Sequence, residues 1–301
     1  MPGRHVVDRQ QLETLAAVIE HGSFRGAASV LNITPGAVSQ RIKALEEHVG
    51  CMLLMREGAV TPTRAGEAML RHIVALRLLE EDTLQSIRPD QFPPVSFPLA
   101  VNADSLATWF EPVAWELARH HIALELMVDD QDHTLGALAR GDVMGAIATQ
   151  SDPLVGFIAK PVGCMRYQCV ATPTFKHRYF MDGFTVPAVL KSTAILFNRK
   201  DALHDTFLNS FFGLRVGRYV KHYFPSPVAL LGAIVGGIGY GLVPSLQAAP
   251  LIGNGVLVDL TPSQALDVEL YWHHWKSELQ PMAGISEIVM NAARAALIQA
   301  T

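Results

Sequence analysis

The sequence predicts an α/β protein with an all-α-rich N-terminal domain: a winged helix-turn-helix and a linker helix, then an α/β region in two lobes. Three observations carry this. Residues 8 to 50 hold three short amphipathic repeats with capping residues, residues 64 to 88 keep one long apolar stripe, and from 99 onward strand and helix signals alternate. A chain of 301 residues, half of them apolar, suits two or three globular units and argues against disorder.

In the first helix, 8 to 21, Leu12, Leu15, Ala16 and Ile19 share one face, and Gly22 ends it. Ser23 caps a second helix, where Phe24, Ala27, Ala28 and Leu31 repeat the spacing and the alanine pair allows another helix to approach closely. Thr34 caps a third, with Pro35 at the first helical position, where its missing N–H costs nothing. Two short helices joined by a tight turn and backed by a third describe a helix-turn-helix. Residues 53 to 57 and 59 to 63, split by Gly58, suggest a small hairpin or wing.

The stripe that follows, Met69, Ile73, Leu76, Leu79 and Leu84, has little around it to cover it. A partner helix from a second subunit is one reading, packing on its own chain the other. Residues 88 to 98, "RPDQFPPVSFP", are proline-rich and aperiodic, which marks an interdomain boundary. Then come strands at 97 to 101, 122 to 128 and 143 to 148, with helices at 105 to 119 and 134 to 140, the alternation of a parallel sheet with crossovers. It resumes after Gly163 through "RYQCVA", "TAILFN", a helix over "DALHDTFLNSFF", "RYVKHYF", a helix from Pro227 and "GYGLVP"; "VELYWHHW" adds a strand and 281 to 299 a closing helix. Two α/β lobes with a ligand cleft between them are expected.

Net charge is −4, so any polyanion site must be local. Cys51, Cys164 and Cys169 lack metal or disulfide spacing, and the charged N-terminus lacks an export signal, so a cytoplasmic location is expected. Residues 223 to 258 carry no charge, yet Pro225, Pro227, Pro244 and Pro250 with Gly232, Gly236, Gly237, Gly239 and Gly241 cut them into soluble-sized pieces, and no membrane association is expected.

Residues 23 to 43 contain Arg25, Arg41 and Lys43 and no acid, within an acidic chain. On the third helix Val38, Ile42, Leu45 and Val49 face one way and Gly36, Ser39, Gln40 and Lys43 the other. A small, neutral, hydrogen-bonding face suits duplex DNA: Ser39, Gln40 and Lys43 can reach base edges while small Gly36 and Ala37, just after Thr34 and Pro35, let the helix start sit deep. Ser23, Arg25, Arg41 and, from the wing, Arg56, Thr63 and Arg64 are placed for phosphates. An ordinary three-helix packing unit would show a similar pattern.

The stretch "AAxxLNITPGAVSQRIKALEEHVGCMLLMREGAVTPTRAGE" resembles the N-terminal domain of LysR-type transcriptional regulators. "LAVNADSLATWF" at 99 to 110, "VDDQDH" at 128 to 133 and "LYWHHWK" at 270 to 276 are similar to the ArgP/LysG branch, which senses lysine and arginine. The resemblance implies a winged helix-turn-helix at 1–63, a dimerising linker helix at 64–88, a hinge at 89–98 and a periplasmic-binding-protein-like effector domain at 99–301. In it, lobe I takes about 99–163 and 267–301 and lobe II about 164–266. It also implies a homodimer that assembles into a tetramer on an interrupted palindrome, contact with RNA polymerase, and target genes of basic amino-acid export or metabolism.

For the effector, "NADS" lies between a strand and a helix, so Ser105 and the amides after it suit an α-carboxylate, with Asn102 adding a bond. A cationic side chain needs acids, and Glu125, Asp129, Asp130 and Asp132 cluster without a basic residue; a solvated acidic turn reads the same. Asn198 and Ser226 occupy equivalent places in lobe II, and Asp104, Trp109 and Thr149 complete the candidate site. Where relatives pair small hydroxyl residues with an acid, this chain has "SPV", so Pro227 and Val228 remove possible amine partners, and another amino acid or no effector stays open.

"GGIGYG" at 236 to 241 lacks nucleotide-loop spacing, and the adjacent pairs His120–His121 and His273–His274 diverge, so neither nucleotide nor metal is expected. No catalytic arrangement is present, no cofactor is expected beyond a small-molecule effector, and the reading is a DNA-binding regulator rather than an enzyme. A nucleoid or replication-origin-binding protein shares the DNA-binding features.

Overall fold

The computed structural model describes residues 7–55, 60–88, 91, 96–120, 122–128, 131–276 and 282–299, with 131–133 as backbone alone. The chain opens with α1 (Arg9–Glu20), α2 (Phe24–Val30) and α3 (Pro35–Val49). Each starts where a short polar side chain takes an otherwise unpaired amide: Asp8 accepts from Gln10 and Gln11, Ser23 from Gly26, Thr34 from Ala37. The α2–α3 turn needs a left-handed residue, which Asn32 supplies at φ 52°, and Gly50 at φ 79° ends α3. Leu12, Leu15, Val18, Ala27, Ala28, Val38, Ile42 and Leu45 close into one small core.

The wing pairs β1 (Leu54–Met55) antiparallel with β2 (Thr61–Pro62), shorter than the strands expected, with Arg56 and Gly58 outside the described residues. Thr63 then starts α4 (Arg64–Ile87), accepting from the Gly66 amide at 3.1 Å and donating to the Met52 carbonyl at 2.8 Å. The stripe of α4 divides. Leu70 and Ile73, with Met69 and Leu76, join the N-terminal core; Val74, Ala75 and Leu78 pack on the effector core; Leu79, Leu84 and Ile87 stay exposed. Packing on its own chain thus accounts for the first half of the stripe. Arg77 binds Glu13 and Arg9 binds Glu80, tying α1 to α4.

The first lobe is laid down by β3 (Ser96–Val101), α5 (Ala103–Leu106), α6 (Glu111–Arg119), β4 (Ala123–Val128), α7 (Gln131–Arg140) and β5 (Gly145–Ala148). β6 (Phe157–Ala171) crosses to the second, which holds α8 (Pro173–Tyr179), α9 (Val186–Lys191), β7 (Thr193–Leu196), α10 (Leu203–Phe212) and β8 (Val220–Tyr223). It continues with α11 (Pro227–Val235), β9 (Gly241–Pro244), α12 (Ser245–Gly253) and β10 (Val258–Asp259). β11 (Leu266–Trp275) then returns, and α13 (Met282–Ala296) packs on α6.

The sheet order is β10-β6-β11-β5-β3-β4, with β9 also on β6, and its β4–β3–β5 part has the parallel pairing expected for the strands between 97 and 148. β3 is parallel to β4 and β5, and β7 to β8, but Phe157–Tyr167 of β6 pairs antiparallel with all of β11, and β9 and β10 run antiparallel to the end of β6. Outgoing and returning connections necessarily run in opposite directions, so the strand returning to lobe I enters the sheet reversed. β6 passes unbroken through residue 163, where Gly163 (φ 125°) faces a register shift between Leu270 and Tyr271. β3 begins at Ser96, inside the stretch expected to be hinge. The single helix expected over 105 to 119 is two, because α5 lasts one turn and Pro112 can enter only a new helix's first turn.

Among the described residues no helix is long and apolar enough to cross a membrane. Val170, Ile195, Leu230, Ile234, Val243 and Leu257 of the uncharged segment and its neighbours form a lobe II core. Its glycines serve packing: a Cβ on Gly239 would lie 2.5 Å from the Thr193 carbonyl and one on Gly241 2.7 Å from that of Ile195.

Candidate functional site

The two candidate surfaces are built differently. On α3, Val38, Ile42 and Leu45 are fully buried, so helical geometry alone turns Gly36, Ser39, Gln40 and Lys43 outward, and all four are exposed. Thr34, Pro35, Arg25 and Arg64 are exposed beside them, and Ser23 and Thr63 are half-buried helix caps. Lys43 pairs with Glu47 one turn on, 3.6 Å away. Arg41 departs from its expected place on the phosphate flank: its guanidinium donates to Gln10 Oε1 at 3.0 Å, because position 41 turns toward α1.

Sequence reasoning missed Glu46. Buried on the apolar side of α3, it accepts from the Leu53 and Leu54 amides at 2.8 and 3.4 Å, so the recognition helix carries the start of the wing. An acid beside Ile42 and Leu45 was the available signal.

Between the lobes lies a small cleft, partly open to solvent. Asp104 from α5, Tyr167 from β6, Asp201 and His204 at the start of α10, Pro227 of α11 and Gln247 of α12 supply its characteristic groups. The Tyr167 hydroxyl donates to Asp104 at 2.6 Å, and Gln247 Nε2 donates to the Ala107 carbonyl at 3.4 Å, so both bonds span the lobes. Burial pushes the Asp104 carboxyl up, the Tyr167 bond pulls it back, and the Asp201 charge adds to the rise. Burial holds His204 at about 4, a neutral imidazole.

Of the effector residues expected, Asp104 alone among the described residues lines this cleft. Asn102 is spent as a cap, its Oδ1 accepting from the Ser105 amide at 3.0 Å, and Ser105 is wholly buried. The amides after it, of Leu106 and Ala107, donate to the Asn102 and Ala103 carbonyls at 3.1 and 3.0 Å, so the α-carboxylate expected at "NADS" meets no free amide in those two positions. Trp109 is core, edge-on to Phe110; Thr149 and Asn198 do not line the cleft. Asn198 instead folds its own loop by accepting from the Lys200 and Asp201 amides, and Ser226 caps α11 through the Ala229 amide. Asp129 and Asp130 lie outside the described residues, as does the side chain of Asp132; Glu125 is exposed.

The cleft residues absent from the sequence reading, Tyr167, Asp201, His204 and Gln247, come from separate elements of lobe II and its crossing strand. Asp201 alone left a trace, as an acid just before a helix start, where its Oδ1 accepts from the Leu203 amide at 2.8 Å. His273 and His274 are buried, with His273 Nε2 at 2.8 Å from the Gln150 carbonyl and His274 Nδ1 at 2.9 Å from that of Trp275. Among the described residues no His, Cys, Asp and Glu group has metal-site geometry.

A capped helix-turn-helix with an open polar face, joined by one long helix to a bilobed domain with a polar cleft, defines a DNA-binding protein with a small-molecule sensor. Residues 9–67 match the family model for bacterial regulatory helix-turn-helix proteins of the lysR family, and residues 99–284 that of the LysR substrate binding domain. The chain is 39% identical over 295 residues to the HTH-type transcriptional regulator ArgP of Photobacterium profundum, covering 97% of this chain and 99% of that protein. The crystal structure of ArgP from Mycobacterium tuberculosis superposes with TM-score 0.85 at 37% identity, covering 98% of this chain and 100% of that one. Full-length LysG from Corynebacterium glutamicum with bound effector arginine gives 0.84 at 36% identity, covering 97% and 99%. The chain belongs to the LysR family of transcriptional regulators, in its ArgP/LysG type, and is not an enzyme.

Proposed function

We propose that this regulator binds a basic amino acid, lysine or arginine, in the cleft and controls genes of basic amino-acid export or metabolism from the cytoplasm. The observation that carries the reading is the pair Asp104 and Asp201 in a cleft lined, among the described residues, by no lysine or arginine. Two carboxylates in a half-dry space favour a ligand with ammonium or guanidinium groups and repel a dianion. The arginine bound to the Corynebacterium glutamicum LysG supports the same ligand class.

On the DNA side, Gly36, Ser39, Gln40 and Lys43 enter the major groove, while Ser23, Arg25, Thr34, Thr63, Arg64 and Arg56 meet phosphates. The exposed end of α4, with Leu79, Leu84 and Ile87, pairs with a second subunit, and dimers assemble into tetramers. Effector binding draws Asp104 and Asp201 toward one ligand, shifts lobe packing, and changes the spacing of recognition helices on two half-sites, hence DNA bending or polymerase contact.

The test is titration of promoter DNA with the full-length protein, with and without lysine or arginine, for the wild type and Asp104→Asn. Either amino acid is expected to alter the wild-type DNA complex, and the variant to bind DNA as before but respond only at higher effector concentration. An unshifted amino-acid titration in Asp104→Asn removes the cleft from the effector reading.

A further inference from the structure

We propose that Gln247 is a specificity-determining residue of the cleft: its amide oxygen accepts an N–H of the effector while its amide nitrogen holds the Ala107 carbonyl, so that a bound donor tightens the link between the lobes. The proposal deepens, and rests on, the basic-effector reading.

Gln247 stands on α12 in lobe II and lines the cleft, and Ala107 follows α5 in lobe I. Gln247 Nε2 donates to the Ala107 carbonyl at 3.4 Å. A carbonyl can only accept, so the amide has one orientation, nitrogen toward Ala107 and oxygen away from it. That oxygen is buried and finds no hydrogen-bond partner among the described residues. An amide oxygen left this way costs free energy until a donor reaches it, and in a ligand cleft the donor is the ligand. The same lining holds a second such atom, Nδ1 of His204, a residue 2% exposed. Lysine and arginine bring the N–H groups that the oxygen requires. The start of α12 suits a free amino acid as well: Pro244 gives it no side-chain cap, so the positive end of the helix is met by the carboxylate that an amino acid carries beside its ammonium group.

The two bonds that span the lobes are unequal. Tyr167 holds Asp104 tightly at 2.6 Å, while the 3.4 Å bond of Gln247 exceeds the usual N–H···O range of about 2.7–3.2 Å and has room to shorten. A cationic donor on Oε1 polarises the amide, which makes its N–H the stronger donor toward Ala107, and it removes the freedom of the side chain to turn away. Ligand recognition and lobe closure thus meet in one side chain.

Calorimetric titration of the full-length protein with L-lysine and L-arginine, beside titration of promoter DNA at saturating amino acid, tests both halves. Gln247→Met keeps the length of the side chain and removes acceptor and donor together. It is expected to bind the amino acid about ten- to hundred-fold more weakly, the loss of one charge-assisted bond. Gln247→Glu, in mildly alkaline buffer where the new carboxyl is ionised, keeps an acceptor for the ligand but sets an oxygen against the Ala107 carbonyl. It is expected to bind within about ten-fold of the wild type and to lose most of the change that the amino acid makes in the DNA complex, a split that a purely structural role would not produce. Unchanged affinity in Gln247→Met overturns the ligand contact and leaves the basic-effector reading standing. A full DNA response in Gln247→Glu overturns the link between the lobes. A wild type that binds neither amino acid takes the basic-effector reading down together with the proposal.

Discussion

The face of α3 and the cleft between the lobes make an instructive pair. The first is written in one continuous run: buried Val38, Ile42 and Leu45 dictate where Gly36, Ser39, Gln40 and Lys43 point. The second gathers Asp104, Tyr167, Asp201, His204 and Gln247 from α5, β6, α10, its preceding loop and α12, and no local period connects them. A site whose geometry is set by one helix tolerates changes on its surface, whereas one set by five segments depends on burial and pairing far from the ligand.

That contrast can be broken from the N-terminal side. Gly66→Ala places a Cβ 2.1 Å from the Leu53 carbonyl, where backbone must move, so a loss of about 3 kcal/mol is expected although the substitution is small and lies outside the DNA face. Chemical denaturation of the variant checks it, and an unchanged midpoint would show the wing to be looser than the α3–β1–α4 junction implies.

Acid should strike the cleft side next. His204 falls from an ordinary 6.5 to about 4 on burial, so the unfolded chain takes up a proton that the folded one refuses. Its contribution is fully present above pH 6.5 and is lost as pH falls toward 4, on the order of 3 kcal/mol. Melting temperatures across this range, compared with those of His204→Gln, measure the loss; the variant should show a flatter profile.

Gln40→Ala sharpens the comparison at the DNA face. It should leave melting unchanged and relax discrimination at one base position by about 1–3 kcal/mol, read by competition between operator and single-base variants. Equal loss on operator and random duplex would argue against groove insertion.

The smallest expected effect is at the α1–α4 tie. The Arg77 bond holds the Glu13 carboxyl below its usual 4.5, so its stabilisation is present above that pH and fades as pH drops through the lowered value. Exposure to solvent limits it to less than about 1 kcal/mol, which Glu13→Gln at neutral pH should reproduce.

These differences account for what could be read in advance. Ser23, Thr34, Pro35 and Gly50 act within a few residues of their own position, so helices α1 to α3 and their faces follow from spacing. Arg41 and Glu46 already escape, because their partners Gln10 and the Leu53 amide lie in other elements. In the effector domain strands and helices are largely legible, but β11's antiparallel insertion between β5 and β6 depends on where the chain returns, which no local pattern states. "NADS" announced an anion site whose Ser105 amide Asn102 had already taken, while Tyr167 reads as one more strand residue until the fold brings it to Asp104.

The late return of β11 and α13 also orders synthesis. β3, β4 and β5 leave the ribosome long before the strand that borders β5 and the helix that covers α6 exist. Until Leu266 to Ala296 emerges, the half-built lobe I displays Phe97, Leu99, Val113 and Ile147 to the surroundings. A nascent chain stalled before residue 266 should therefore be a chaperone client with a finished helix-turn-helix, competent at its N-terminus and sticky in its middle.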